Sequence, residues 1–226
     1  MKMDQPIPLA QKIYFLGIHP EKGGIRSGAV SAMHFVVIGT LLMDLYLQKK
    51  IKFEGKRVVV LSTKSDNELH RFVLEKMSQA KSPKKISTWI SKLNYSQKYI
   101  RNEVQNGLVA KRLIRLEDKR FLFFKWKKPV VLNKQVMYRM IAEIDKQIFK
   151  GTTAEDELIF LSFLESAAIL RIIYQDRKKR KQARERLKQM RIKNRVSGAV
   201  ADAIAASQAI AASVAASVAA NAAAKH

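Results

Sequence analysis

The sequence predicts a mainly α, single-domain protein carrying two short β-hairpins, and three observations lead there. Apolar residues recur at helical spacing through most of the chain. Only two strand pairs read convincingly, and each follows a helix directly. Of the 226 residues, 47% are hydrophobic and none is cysteine, so the fold rests on one sizeable apolar core, or two small ones, without disulfides.

Taken in order, the first helix is predicted over Leu9 to Gly17. The second, Ala29 to Leu47, is nearly uncharged and close to the length a bilayer-crossing helix needs. It also holds Ser31, His34, Gly39 and Asp44, and a charge inside hydrocarbon costs at least about 2.5 kcal/mol. A helix apolar on every face is equally what the centre of a helical bundle requires, and the buried-core reading is preferred. Ile51 to Phe53 and Arg57 to Leu61 flank Glu54-Gly55-Lys56 as the first hairpin. Helices follow over Asn67 to Ala80 and over Pro83 to Leu93, the latter with Ser82 as cap and Pro83 as first residue. The next is Ser96 to Lys111. Leu113 to Leu116 pairs with Phe121 to Lys125 across Glu117-Asp118-Lys119 as the second hairpin. Lys134 to Phe149 and Ala154 to Tyr174 complete the body, the last opening on Thr153 with Glu155, Asp156 and Glu157 in a first turn favoured by the helix dipole.

After Gln175 the composition shifts. Segment 177–195 holds eleven Lys or Arg and one Glu, relieved by Ala183, Leu187, Met190 and Ile192. Such a run implies a polyanion partner or an acidic surface, unless it is simply a solvated helix. Residues 198–224 are alanine-rich, with Val200, Ile204, Ile210, Val214 and Val218 near helical spacing, and predict a long terminal helix packed on the body. The alternative is a low-complexity tail, because alanine buries little area.

With 43 Lys plus Arg against 19 Asp plus Glu, the formal charge is +24. That field constrains the partner to something anionic rather than constraining the fold. The N-terminal MKMDQPIPLAQKIYFLG lacks a basic region followed by a long apolar stretch and a small-residue cleavage site, and reads as the start of a mature, cytosolic chain. The catalytic inventory is thin. The four histidines, His19, His34, His70 and His226, form no pair at metal-ligand spacing with acids, so neither a metal site nor a cofactor is expected. His34, on an apolar helix, reads as a hydrogen-bonded core residue. Gly23-Gly24 lacks a dinucleotide loop's spacing and reads as a turn; no Walker loop or nucleophile elbow occurs. The chain is therefore read as a binding protein and not an enzyme.

The most informative stretch is SQKYIRNEVQNGLVAKRLIRLEDKRFLFFKWKK, Ser96 to Lys128. Lys98 and Arg101 lie at i, i+3 on one helix face, where two cations from a rigid element hold a phosphate better than one flexible lysine; an ordinary solvated face has the same spacing. The hairpin beyond carries Phe121, Leu122, Phe123, Phe124 and Trp126, with Lys125, Lys127 and Lys128 at its end. Strict alternation through this limb puts Phe121 and Phe123 on one side and Leu122, Phe124 and Trp126 on the other, so that one set is core and one exposed, or both are buried in an oligomer. Cations beside aromatics suit an anionic membrane surface. A helix followed by such a hairpin is also how a winged helix grips DNA, which keeps nucleic acid as the runner-up partner.

Three segments then resemble one family in order and spacing. LLMDLYLQKKIKFEGKRVVV (Leu41 to Val60), KSPKKISTWISKL (Lys81 to Leu93) and RNEVQNGLVAKRLIRLEDKRFLFF (Arg101 to Phe124) are similar to stretches of the Golgi phosphoprotein 3 family, and the likeness extends over about residues 8 to 220. The resemblance implies central apolar helices ringed by amphipathic ones, in a peripheral membrane protein on the cytosolic face that binds phosphatidylinositol 4-phosphate and acts as a Golgi adaptor. It further implies a hydrophobic hairpin, Glu117 to Lys128 here, used for membrane contact and homo-oligomer formation. The headgroup cations of the family fall on Lys98 and Arg101, while its tryptophan and third basic residue fall near Ala29 and Ile38. Those two cannot stack on or pair with a phosphoinositide. Binding to anionic phospholipid in general is therefore expected ahead of headgroup selectivity.

Overall fold

The computed structural model describes residues 7–151, 157, 160–161, 164, 167–193 and 199–224. Helix α1 (Leu9–Leu16) starts after Pro8, which has no side chain able to cap it. Its free amides are met from another helix: the Asp44 carboxylate accepts from Leu9 N at 3.1 Å and Ala10 N at 3.3 Å. A turn closed by an Ile18–Ile25 bridge leads through a short 3-10 segment, Ser27–Ala29, into α2 (Val30–Leu47).

By length and composition α2 could cross a bilayer. Here it packs against α1 and further helices described below, and Phe35, Val36, Ile38, Leu41, Leu42 and Leu45 are all buried. Its all-round hydrophobicity is that of a core helix, and Thr40 satisfies its hydroxyl on the Val36 and Val37 carbonyls. Strands β1 (Ile51–Glu54) and β2 (Arg57–Val60) pair antiparallel with Glu54 opposite Arg57, turning at Gly55, whose φ of 57° suits glycine. A third strand joins them. Lys84–Lys85 (β3) pairs with Val58 and Arg57, and the helix predicted from Pro83 begins only at Ile86. The Ser82–Pro83 start is thus a misreading, because the ladder to β2 holds Lys84 and Lys85 extended and the Pro83 carbonyl accepts from Arg57 instead of opening a helix.

Helix α3 (Glu68–Ser78) is capped by Asn67, which accepts from His70 N at 3.0 Å. Helices α4 (Ile86–Asn94) and α5 (Gln97–Ala110) both pack on α2. Strands β4 (Ile114–Phe121) and β5 (Phe124–Val131) form the second hairpin, and α6 (Lys134–Lys150) follows with Asn133 as cap. Of the helix predicted over Ala154 to Tyr174, α7 (Ala167–Ile173) is described; the Thr153 start lies outside the described residues. The basic run forms α8 (Arg177–Lys193), anchored on α6 by Lys179 to Asp145 and Arg186 to the Phe149 carbonyl.

The alanine-rich segment is helix α9 (Ala199–Ala223), and it docks on α2 and α4. Small side chains allow the close approach, and fully buried Ile210 and Val214 supply the anchoring area. Ile210→Ala is expected to cost ~2 to 3 kcal/mol, read as a lower urea midpoint at unchanged slope. An unchanged midpoint would show that α9 adds nothing to the core.

Candidate functional site

The second hairpin differs from its sequence reading in where it turns. Eight residue pairs run from Ile114 opposite Val131 to Phe121 opposite Phe124, so the turn is Leu122–Phe123 and not Glu117-Asp118-Lys119. The acidic-basic triplet looks turn-like, but in β4 alternate residues Arg115, Glu117 and Lys119 form an ion ladder. Arg115 Nη2 lies 2.7 Å and Lys119 Nζ 3.0 Å from the Glu117 carboxylate, which favours an extended chain. Hydrogen bonds from Arg115 and Lys119 hold Glu117 below the usual carboxylate range. Leu122 takes the left-handed conformation, φ 52°, that the tight turn demands.

The new turn re-sorts the aromatics. Cross-strand partners share a face, so Phe121, Phe124 and Trp126 lie together with Lys119, while Arg120, Lys125 and Lys127 lie on the other face. The predicted split of Phe121 from Phe124 and Trp126 assumed one unbroken strand and is wrong for that reason. Both limbs end in water: Phe121, Leu122, Phe123 and Phe124 are 66–93% exposed, and Trp126 is half exposed. None of the five belongs to the core of the chain. At the other end of the hairpin, buried Ile114 and Val131 fix the root to the body. The Gly23–Gly24 turn braces that root, with Gly24 N donating to the Pro129 carbonyl at 2.7 Å. A Cβ on Gly23 would stand 2.8 Å from the same oxygen.

A second feature lies between α1, α2 and α5. A cavity of about 240 Å³ has a floor of buried Tyr14, Met33, Val37, Ile38 and Ile100. Ile25 and His34 are half-buried at its side, and exposed Val30, Gln97 and Arg101 form its mouth. The Tyr14 oxygen accepts from Gln105 Nε2 at 2.6 Å, which leaves its O–H as the one side-chain donor on the floor. Burial raises the Tyr14 pKa, opposed by that hydrogen bond and by the nearby Arg101 charge.

A family model for Golgi phosphoprotein 3 (GPP34) matches residues 9–207, nearly the whole described body and the start of α9. The chain belongs to the Golgi phosphoprotein 3 family. None of the curated proteins compared with it matches. Within this family member, two of the positions that the resemblance assigns to one headgroup pocket, Ile38 and Arg101, do line one cavity. Lys98 is exposed on α5 and outside the lining; its neighbour Gln97 is inside it. Spacing of i, i+3 correctly puts Lys98 and Arg101 on adjoining turns, but the cavity meets the stripe of Gln97, Ile100 and Arg101, about 100° of helix rotation away from Lys98. Ala29 is buried beside the cavity without lining it.

The residues of α8 divide. Ala183 and Leu187 face inward, while Arg177, Lys181, Arg184 and Lys188 recur on an exposed stripe. Sequence reasoning missed the pairing of Asp44 with His70. His70 is 1% exposed, and its Nε2 lies 3.9 Å from Asp44 Oδ2, too far for a hydrogen bond. Burial raises the Asp44 pKa to about 6 and lowers that of His70 to about 4, so at neutral pH an ionised aspartate faces a neutral imidazole. The available signal was α1's lack of a capping residue beside a single acid in an apolar helix.

Proposed function

We propose that this Golgi phosphoprotein 3 family member is a peripheral membrane protein. It binds anionic phospholipid at the cytosolic face of a membrane, in keeping with a Golgi-associated adaptor role. The observation that carries this reading is the hairpin tip, where Phe121, Leu122, Phe123 and Phe124 stand exposed at the end of two strands whose root is fixed in the core. Rings that gain nothing from water favour the acyl boundary, and the cations behind them stay with the headgroups. Lys125, Lys127 and Lys128 on β5, with Lys98 and Arg101 on α5, each add about 1 kcal/mol near an acidic surface. In this reading the chain is one domain, its helices are a bundle centred on α2, and it has no catalytic role. Homo-oligomer formation through the same hairpin is the competing use of the exposed tip.

Flotation at physiological salt tests the proposal with vesicles of phosphatidylcholine, phosphatidylglycerol, and phosphatidylinositol 4-phosphate at matched charge. Binding to both acidic vesicles and not to the neutral one is expected. A strong preference for the phosphoinositide would add headgroup selectivity, whereas failure on every acidic vesicle would overturn the membrane reading. In that case nucleic acid becomes the better partner for a +24 chain, recognised by a sequence preference that survives physiological salt.

A further inference from the structure

We infer that the cavity between α1, α2 and α5 takes the hydrocarbon tail of a free fatty acid whose carboxylate pairs with Arg101. The inference rests on the membrane reading for its source of ligand, but its chemistry comes from the cavity. About 240 Å³ is many times what one water needs, so the space is large enough for a short run of carbons. Its floor of Met33, Val37, Ile38 and Ile100 offers no hydrogen bond, and Tyr14, which accepts from Gln105, has a single O–H left to give. A polyhydroxylated ring seated there would leave hydroxyls unpaired in a buried site, which is costly. A hydrocarbon chain asks nothing of such a floor.

The mouth supplies the complementary half. Arg101 is exposed and lines the same cavity as Tyr14, so the rim of the apolar slot carries a cation. A planar guanidinium matches a carboxylate in two parallel hydrogen bonds. The arrangement is an apolar pocket with a single cationic group at its rim, which orients an amphiphile head-out.

Calorimetric titration of the full chain with hexanoate, octanoate and decanoate, with inositol 1,4-bisphosphate as the polar probe, tests this. Affinity is expected to rise about threefold to fourfold per added methylene until the slot is full. Arg101→Gln should weaken decanoate about tenfold to a hundredfold and leave decanol nearly unchanged. Val30→Trp, at an exposed position on the mouth, should block both ligands. Both substitutions are at exposed residues, and matching melting temperatures identify folded variants. Tight binding of the bisphosphate with no chain-length dependence would overturn the inference, as would decanoate binding indifferent to both substitutions. Decanoate binding lost while acidic vesicles still float the protein sinks the cavity alone. Vesicle binding lost while decanoate still binds sinks the membrane reading alone.

Discussion

Replacing Phe123, Phe124 and Trp126 with serine is expected to weaken partition onto anionic vesicles on the order of a thousandfold, with the melting temperature nearly unchanged. The magnitude follows from area. An aromatic side chain carries roughly 150–250 Å². If about a third of it leaves water on docking, each ring contributes ~1.2 to 2 kcal/mol and the three together ~4 kcal/mol or more. Stability is spared because these rings are exposed in the free chain and touch no core. The register is what makes the prediction specific. Phe124 and Trp126 share a face, and Phe123 caps the turn, so all three can enter one interface at once.

Neutralising Lys125, Lys127 and Lys128 with glutamine should behave differently, costing about 1 kcal/mol each and fading as salt rises. The contrast separates the partners. A nucleic-acid binder would lose most with the lysines and little with the rings, and a homo-oligomer would show the serine variant sedimenting as a smaller species without lipid. A folded serine variant that floats as well as the parent would exclude insertion by this hairpin.

What was legible in the sequence was whatever local pattern alone decides. The nearly uncharged run of α2 favoured a core helix, whereas the helical spacing of Ile210 and Val214 left a docked helix and a low-complexity tail both open for α9 until its packing on α2 and α4 decided between them. The failures come where distant residues decide. Pro83 looked like a helix start because Ser82 and Pro83 are adjacent, yet the outcome was set by pairing of Lys84 with Val58, far back in the chain. Glu117-Asp118-Lys119 looked like a turn because its composition is polar, whereas pairing of Glu117 with Lys128 and of Asp118 with Lys127 across the hairpin holds it extended. At the cavity Arg101 and Gln97 line the space and Lys98 does not, since a stripe on a helix can be counted from spacing but its rotation toward a neighbour cannot. Asp44 and His70 were invisible as a pair for the same reason, being brought together only by the packing of α3 near α1 and α2.

That buried pair carries the last expected result, a change in the pH dependence of stability when one member is removed. Asp44 has its folded pKa raised to about 6 from 3.8. Between those values the folded chain holds a proton that the unfolded chain releases, so its contribution is full at low pH and lost as pH rises through 6. His70 has its folded pKa lowered to about 4 from 6.5. Over that window the unfolded chain binds the extra proton, so its contribution is full above 6.5 and lost as pH falls through 4. The two slopes oppose over nearly the same range, each amounting to ~3 kcal/mol across about two pH units. The parent should therefore be almost flat in this respect between pH 4 and 6.5. His70→Gln should expose the Asp44 slope and lose stability as pH rises from 4 to 6, while Asp44→Asn should expose the His70 slope and gain it. Urea unfolding at pH 4, 5, 6 and 7, plotted as variant minus parent, removes the background of surface groups common to both. Parallel curves for His70→Gln and the parent would mean that His70 titrates alike in the folded and unfolded chain and is not held neutral by burial, whereas a difference of the opposite sign would mean that Asp44 holds it charged.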